Sequence, residues 1–134
     1  MWAADTSLAI ASIDPDHQHH AAARAACSER RPVLAGHAAF ESYSVLTRLP
    51  GAARVDPATA ESILTQAFGD PCWMPAATRR GLIRRLSTVG VSGGAVFDAL
   101  VAVSAASNDR TLLSLDRRAA STYRRLDIDF ELVT

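Results

Sequence analysis

Gly93 to Ser107 reads GGAVFDALVAVSAAS. Wound as a helix, it spreads Val96, Phe97, Leu100, Val101 and Val103 around the circumference, which is the pattern of a helix enclosed in a core. The stretch carries one charge, Asp98. An unpaired carboxylate in apolar surroundings is costly, so it calls for a cation, a hydrogen-bonding cluster or a raised pKa. What Asp98 faces is therefore the question on which the rest of the chain bears.

Beyond this helix, Thr111 to Leu115 has the branched, apolar character of a strand. Asp116 follows it, Arg117 to Arg125 reads as a short helix, and Ile128 to Val133 alternates apolar and acidic residues as a half-exposed edge strand would. Ahead of it, a helix over Ala76 to Thr88 carries Arg79, Arg80, Arg84 and Arg85, and Cys72 to Met74 offers a small strand. Asp56-Pro57 pairs a cap residue with a first-turn proline to start a helix, which Gly69-Asp70-Pro71 ends after Phe68. Gly36-His37 leads into a helix over Ala38 to Leu49, stopped by Pro50-Gly51.

Nearest the N-terminus, Pro32 to Ala35 is a short strand, and Asp14-Pro15-Asp16 separates a helix ending at Ile13 from one running over His17 to Glu29. The opening segment is a strand ending at Asp5, with a helix starting at Thr6 or Ser7. Strands separated by helices imply parallel strands with right-handed crossovers. The expected fold is α/β, a three-layer sandwich with a central, mainly parallel sheet flanked by helices. No repeat, linker or low-complexity segment interrupts it, so residues 1–134 form one domain.

The length of 134 residues is enough to bury a core without disulfide or metal staples. With 49% hydrophobic and 21% charged residues the chain is globular. Its formal charge is zero but unevenly laid out: residues 1–70 carry five Arg against eight acids, and residues 71–134 nine Arg against six acids. No Lys is present, which excludes a P-loop lysine and Schiff-base catalysis. Cys27 and Cys72 lack metal-site spacing, and the N-terminus lacks a signal-like pattern, so reduced thiols in the cytoplasm are expected. No apolar run approaches the length that spans a bilayer.

In open α/β sheets, ligands bind beyond the carboxyl ends of the strands. Asp5 and Asp116 each stand there, at the end of a strand or just past it. Glu41 shares a helix face with Ala38, Val45 and Leu49, and Asp98 projects from a helix at the same rim. Four carboxylates can thus meet in one pocket, where they repel one another unless protonated or neutralised by a hard cation. An all-oxygen set suits Mg²⁺ or Mn²⁺ over Zn²⁺, and such an ion supports phosphodiester cleavage.

Each acid also has a structural reading. Asp116 can cap the helix beginning at Arg117, Asp5 can be a turn residue, Glu41 can pair with Arg48, and Asp98 can favour a helix N-terminus. Among the histidines at 17, 19 and 20, His17 and His20 stand one turn apart without a third ligand nearby, and the run at a helix start reads as surface residues. The arginines at 79, 80, 84 and 85 offer a stripe for a nucleic-acid backbone, or simply a face for solvent or a partner.

Taken together, Asp5-Thr6-Ser7 after an N-terminal strand, Glu41 in HAAFESYSVLTRLP, Asp98 in GGAVFDALVA and Asp116 in TLLSLDRRAASTY resemble the PIN domain, specifically the VapC-type toxins of bacterial type II toxin-antitoxin systems. The resemblance runs over essentially the whole chain. It implies a Mg²⁺- or Mn²⁺-dependent endoribonuclease that cuts RNA, often tRNA or ribosomal RNA, and is neutralised by a cognate antitoxin. It further implies a homodimer, with Asp5 and Asp98 as the main metal ligands, Glu41 and Asp116 completing the acidic pocket, and Thr6 as the hydroxyl neighbour of the first acid. The short first strand lacks the usual Val or Ile beside the acid, and Ser114 stands where some relatives place another carboxylate or a Thr. The alternative is a domain of the same fold that binds RNA or protein without cutting; its mark would be a lost acid, and none is missing. A phosphoacceptor receiver domain also clusters acids at a sheet rim, but such domains use a Lys that this chain lacks.

Overall fold

Alternation along the strands sets the layers. In β1 (Trp2–Ala4) and β3 (Thr111–Ser114), consecutive side chains point to opposite faces of the sheet, so Ala3 and Leu112 join one apolar cluster while Ala4 and Leu113 join another. All four are fully buried. Both faces of the sheet are therefore covered, as a parallel sheet requires. The structure is a computed structural model that describes all 134 residues.

The other elements are α1 (Thr6–Ile13), α2 (His20–Arg30), β2 (Val33–Leu34), α3 (His37–Thr47), a 3₁₀ turn at Gly51–Ala53, α4 (Pro57–Phe68), α5 (Ala76–Val89), α6 (Ala95–Ala106), α7 (Ala120–Arg125) and β4 (Phe130–Leu132). The four strands run in the order β2-β1-β3-β4 with every pairing parallel. This is the expected three-layer α/β sandwich. Leu8, Ala9, Ala11, Ala23 and Phe68 fill one face; α6 and α7 fill the other through Ala99, Val101, Val103, Tyr123 and Leu126. Alanines at β1 give no bulk, and both are sealed completely by what packs over them.

Four local expectations change. The second helix starts at His20, not His17, because Asp14 Oδ1 accepts the Asp16 amide and His17 Nδ1 accepts the His19 amide, closing turns where a helix would form. Cys72 makes only a single parallel bridge with Ala35, and Pro71 and Pro75 on either side prevent a longer ladder. The last helix begins at Ala120, since Asp116 Oδ1 accepts the amides of Arg118 and Ala119 and holds residues 117–119 as a turn. Finally, α6 is enclosed only along its C-terminal part: Val101 to Ala105 are buried, while Phe97 near its start is exposed. The edge strand is as expected, with Glu131 of β4 bonded to Arg30 at 2.6 Å and the Arg30 guanidinium 4.5 Å over the Trp2 ring.

The start of α3 depends on Gly36. Its φ of +47° is a conformation side chains rarely adopt, and a Cβ there would lie 2.2 Å from Ser104 Oγ on α6. This contact sets how closely the helix bearing Glu41 approaches the helix bearing Asp98. Gly36→Ala should lower unfolding free energy by at least about 2 kcal/mol, combining backbone strain and overpacking. Adding Ser104→Gly should recover only the steric share. Urea unfolding of the three proteins checks this, and a single variant within about 0.5 kcal/mol of the parent would refute the close approach.

Candidate active site

Asp5 ends β1 and caps α1. Its Oδ1 accepts the Leu8 amide at 3.0 Å and the Ser7 hydroxyl at 2.6 Å; its Oδ2 accepts the Tyr123 hydroxyl at 3.0 Å. Burial is the largest influence on its pKa and pushes it up, while the Ser114 and Ser7 hydroxyls, the Leu8 amide and the Tyr123 hydroxyl pull the other way. The Tyr123 hydroxyl is pushed up by its own burial and by the Asp5 and Asp98 charges, so it remains a donor at neutral pH. Thr6, beside Asp5 in sequence, is not the hydroxyl that serves it: Thr6 Oγ1 is buried without a partner.

The same hydroxyls connect Asp5 to the end of β3. Ser7 Oγ accepts the Leu115 amide at 2.9 Å and lies 3.4 Å from Ser114 Oγ, which accepts the Asp116 amide at 2.9 Å. Asp5 and Asp116 are therefore fixed at adjacent strand ends by one hydrogen-bonded chain. Asp116 spends Oδ1 on the turn that follows it. Both structural readings change in detail: Asp5 is a helix N-cap and not a turn residue, and Asp116 closes a turn ahead of the last helix instead of capping a helix at Arg117.

Glu41, on α3, lies 3.7 Å from His37 and makes no ion pair with Arg48. Asp98, in the first turn of α6, has no hydrogen-bonding or ionic partner. Its pKa rises to about 6, first because of burial and then because of Asp116, Glu41 and Asp5, in that order. Asp116, Glu41 and Asp5 are thus all near enough to act on Asp98. No three metal-ligating side chains converge as a ready-made ligand set. The donors these four acids offer are all carboxylate oxygens, and repulsion at Asp98 is unrelieved. Both features fit a hard divalent cation, which commonly takes one or two carboxylates and keeps water in its other positions.

The chain's own pattern pointed to the four acids and placed Ser7 at the start of the first helix. Tyr123 was missed as a site residue. Its only sequence signal is the spacing Ala119, Tyr123, Leu126, which turns it inward.

Residues 3–125 match the PIN domain family. Ribonuclease VapC27 of Mycobacterium tuberculosis is 42% identical over 126 residues, covering 94% of this chain and 92% of that protein. Ribonuclease VapC40 of the same species is 41% identical over 135 residues, with both chains covered in full. The chain belongs to the PIN domain family and is one of its VapC-type members.

Two consequences are measurable without activity. Asp98 has an ordinary pKa of 3.8 that rises to about 6 on folding. Its charge therefore costs nothing below pH 3.8, costs progressively more between these values, and costs fully above the upper one. With chelator present, Asp98→Asn should be more stable than the parent at about pH 7.5 by about 1 kcal/mol, a figure discounted for partial exposure, or about 3 °C in melting temperature. The gain should disappear near pH 4; equal differences at both pH values would show that Asp98 is not repelled. Tyr123→Phe should cost about 2 kcal/mol by removing a donor from a buried carboxylate, and an unchanged urea midpoint would count against that bond.

Proposed function

We propose that the protein is a metal-dependent endoribonuclease, the toxin of a toxin-antitoxin pair. The observation that carries this reading is the unpartnered carboxylate of Asp98, whose pKa is raised first by burial and then by the three other carboxylates, Asp116, Glu41 and Asp5. Such crowding has no structural benefit, and it favours a cation. Asp5 and Asp98 would hold Mg²⁺ or Mn²⁺, with Glu41 and Asp116 completing the shell directly or through water. When bound, such a cation supplies Lewis acidity towards water and phosphate oxygens.

The chain's residues supply the rest. Tyr123, Ser7 and the Leu8 amide keep Asp5 in one orientation. Asp116 is set by its own turn and by Ser114. Asp98 and Glu41 come from separate helices whose spacing is set at Gly36 and Ser104, so the four acids approach a phosphodiester from different sides.

The relatives named as ribonucleases support RNA as substrate. Being of the VapC type, the protein is expected to be held inactive by a small cognate antitoxin, to act on tRNA or ribosomal RNA, and to form a homodimer. Both cysteines are free, as expected for a reducing cytoplasm, and no helix is long and apolar enough to cross a membrane.

Purified protein, freed of antitoxin, should cut total bacterial RNA with Mg²⁺ or Mn²⁺ and stop when EDTA is added. Asp98→Asn should reduce the rate at least about a hundredfold, since even outer partners of a metal site change affinity or activity by roughly 10–100-fold. Equal cutting by the variant would overturn the site, and no cutting by folded parent under either metal would favour a binding module of the same fold.

A further inference from the structure

One large ring of α6 stays outside the core. Phe97, immediately before Asp98, is 51% exposed. It is nonetheless ordered against a neighbour: its ring lies on the His37 imidazole, with centroids 5.3 Å apart and planes 21° from parallel. That is a stacked arrangement of the kind aromatic rings favour. His37 in turn stands 3.7 Å from Glu41. A cleft of about 240 Å³ opens beside the stack, lined by His37, Glu41, Ser44, Val45, Arg48 and Phe97. Arg48, at the end of α3, is exposed and has no carboxylate partner.

We propose that Phe97, backed by His37, is a stacking platform for one base of single-stranded RNA beside the scissile phosphate, with Arg48 taking a neighbouring phosphate. This deepens the ribonuclease reading and rests on it. Three observations favour RNA at this position. The platform is continuous with the acids, since Phe97 adjoins Asp98 and His37 adjoins Glu41. The cleft combines an aromatic face with an unpaired guanidinium, which is how proteins hold single strands: bases stack and arginines meet the backbone. And without a cation the acids of the rim repel phosphate, so an uncharged stacking contact and a cation set back from the acids are what can add affinity beside it.

Stacking on a ring also predicts the form of the substrate. A base within a duplex is already stacked and cannot reach the platform, whereas a base in a loop or an unpaired end can. Every base has a π face, so the contact tolerates sequence.

The test is fluorescence anisotropy of labelled oligouridine and oligoadenine in EDTA, where cutting is stopped. Phe97→Ala and Phe97→Leu should weaken binding of both oligonucleotides about tenfold, and Phe97→Tyr should bind as the parent does. The leucine variant separates stacking from simple apolar contact. Arg48→Gln should weaken binding and lower the slope of log affinity against log salt by about 0.7, the share of one single-strand phosphate. Sedimentation velocity on each variant accompanies the titrations.

Leucine binding as tightly as phenylalanine would overturn the platform. So would unchanged RNA affinity together with a shift from dimer to monomer, which would assign Phe97 to a second copy of the chain. Parent protein that cuts RNA with Mn²⁺ alongside a Phe97→Ala variant that binds and cuts equally well removes the platform and leaves the ribonuclease reading standing. Absence of both binding and cutting in every form removes both.

Discussion

The buried carboxylate of Asp5 is the constraint on which the site depends. A charge taken out of water needs hydrogen bonds or a cation, and the fold supplies three donors from two helices: α1 through Ser7 and Leu8, and α7 through Tyr123. Tyr123 lies more than a hundred residues from Asp5 in sequence, so the acid is satisfied only once β1, β3 and α7 are assembled. The same bonds that make the burial tolerable also orient the carboxylate. Folding and site construction are here one event.

The parallel sheet explains why the remaining acids gather. With every strand parallel, all carboxyl ends lie at one edge, and the segments leaving β1 and β3 turn there into helix or turn caps. Caps favour Asp because its oxygen accepts orphan amides. Asp5 and Asp116 are therefore placed by ordinary capping chemistry before any question of catalysis arises. The short Ser7 to Ser114 chain then keeps their spacing constant. Glu41 and Asp98 arrive from helices packed against the same edge, with Gly36 permitting the close approach.

This division explains what could be read from the chain and what could not. Helix and strand order followed from periodicity and from punctuation such as Asp56-Pro57, whose carboxylate does accept the Thr59 amide. The failures occurred where a side chain competes for backbone: Asp14 and His17 delayed the second helix, and Asp116 delayed the last one. The four acids were legible because carboxylates at strand ends and in an apolar helix are anomalous. Tyr123 was not, because an inward aromatic on a short helix looks like core until its hydroxyl is seen to meet Asp5. Phe97 was misplaced for the opposite reason: its apolarity reads as burial, and only the packed structure shows that the helix emerges from the core before reaching it.

Asp98 differs from its companions in having no structural duty. Asp5 and Asp116 each give an oxygen to a cap, and Glu41 faces His37, but Asp98 accepts no hydrogen bond and pairs with no cation. A favourable helix terminus is worth about 0.3–1 kcal/mol, which is of the same order as the screened repulsion opposing it. Retaining a carboxylate on those terms gives the fold nothing that Asn would not. Conformational stability therefore does not account for Asp98. Asp5 is tied into the fold by its three donors, so Asp98 is the position where a carboxylate can be removed without breaking a hydrogen bond of the fold.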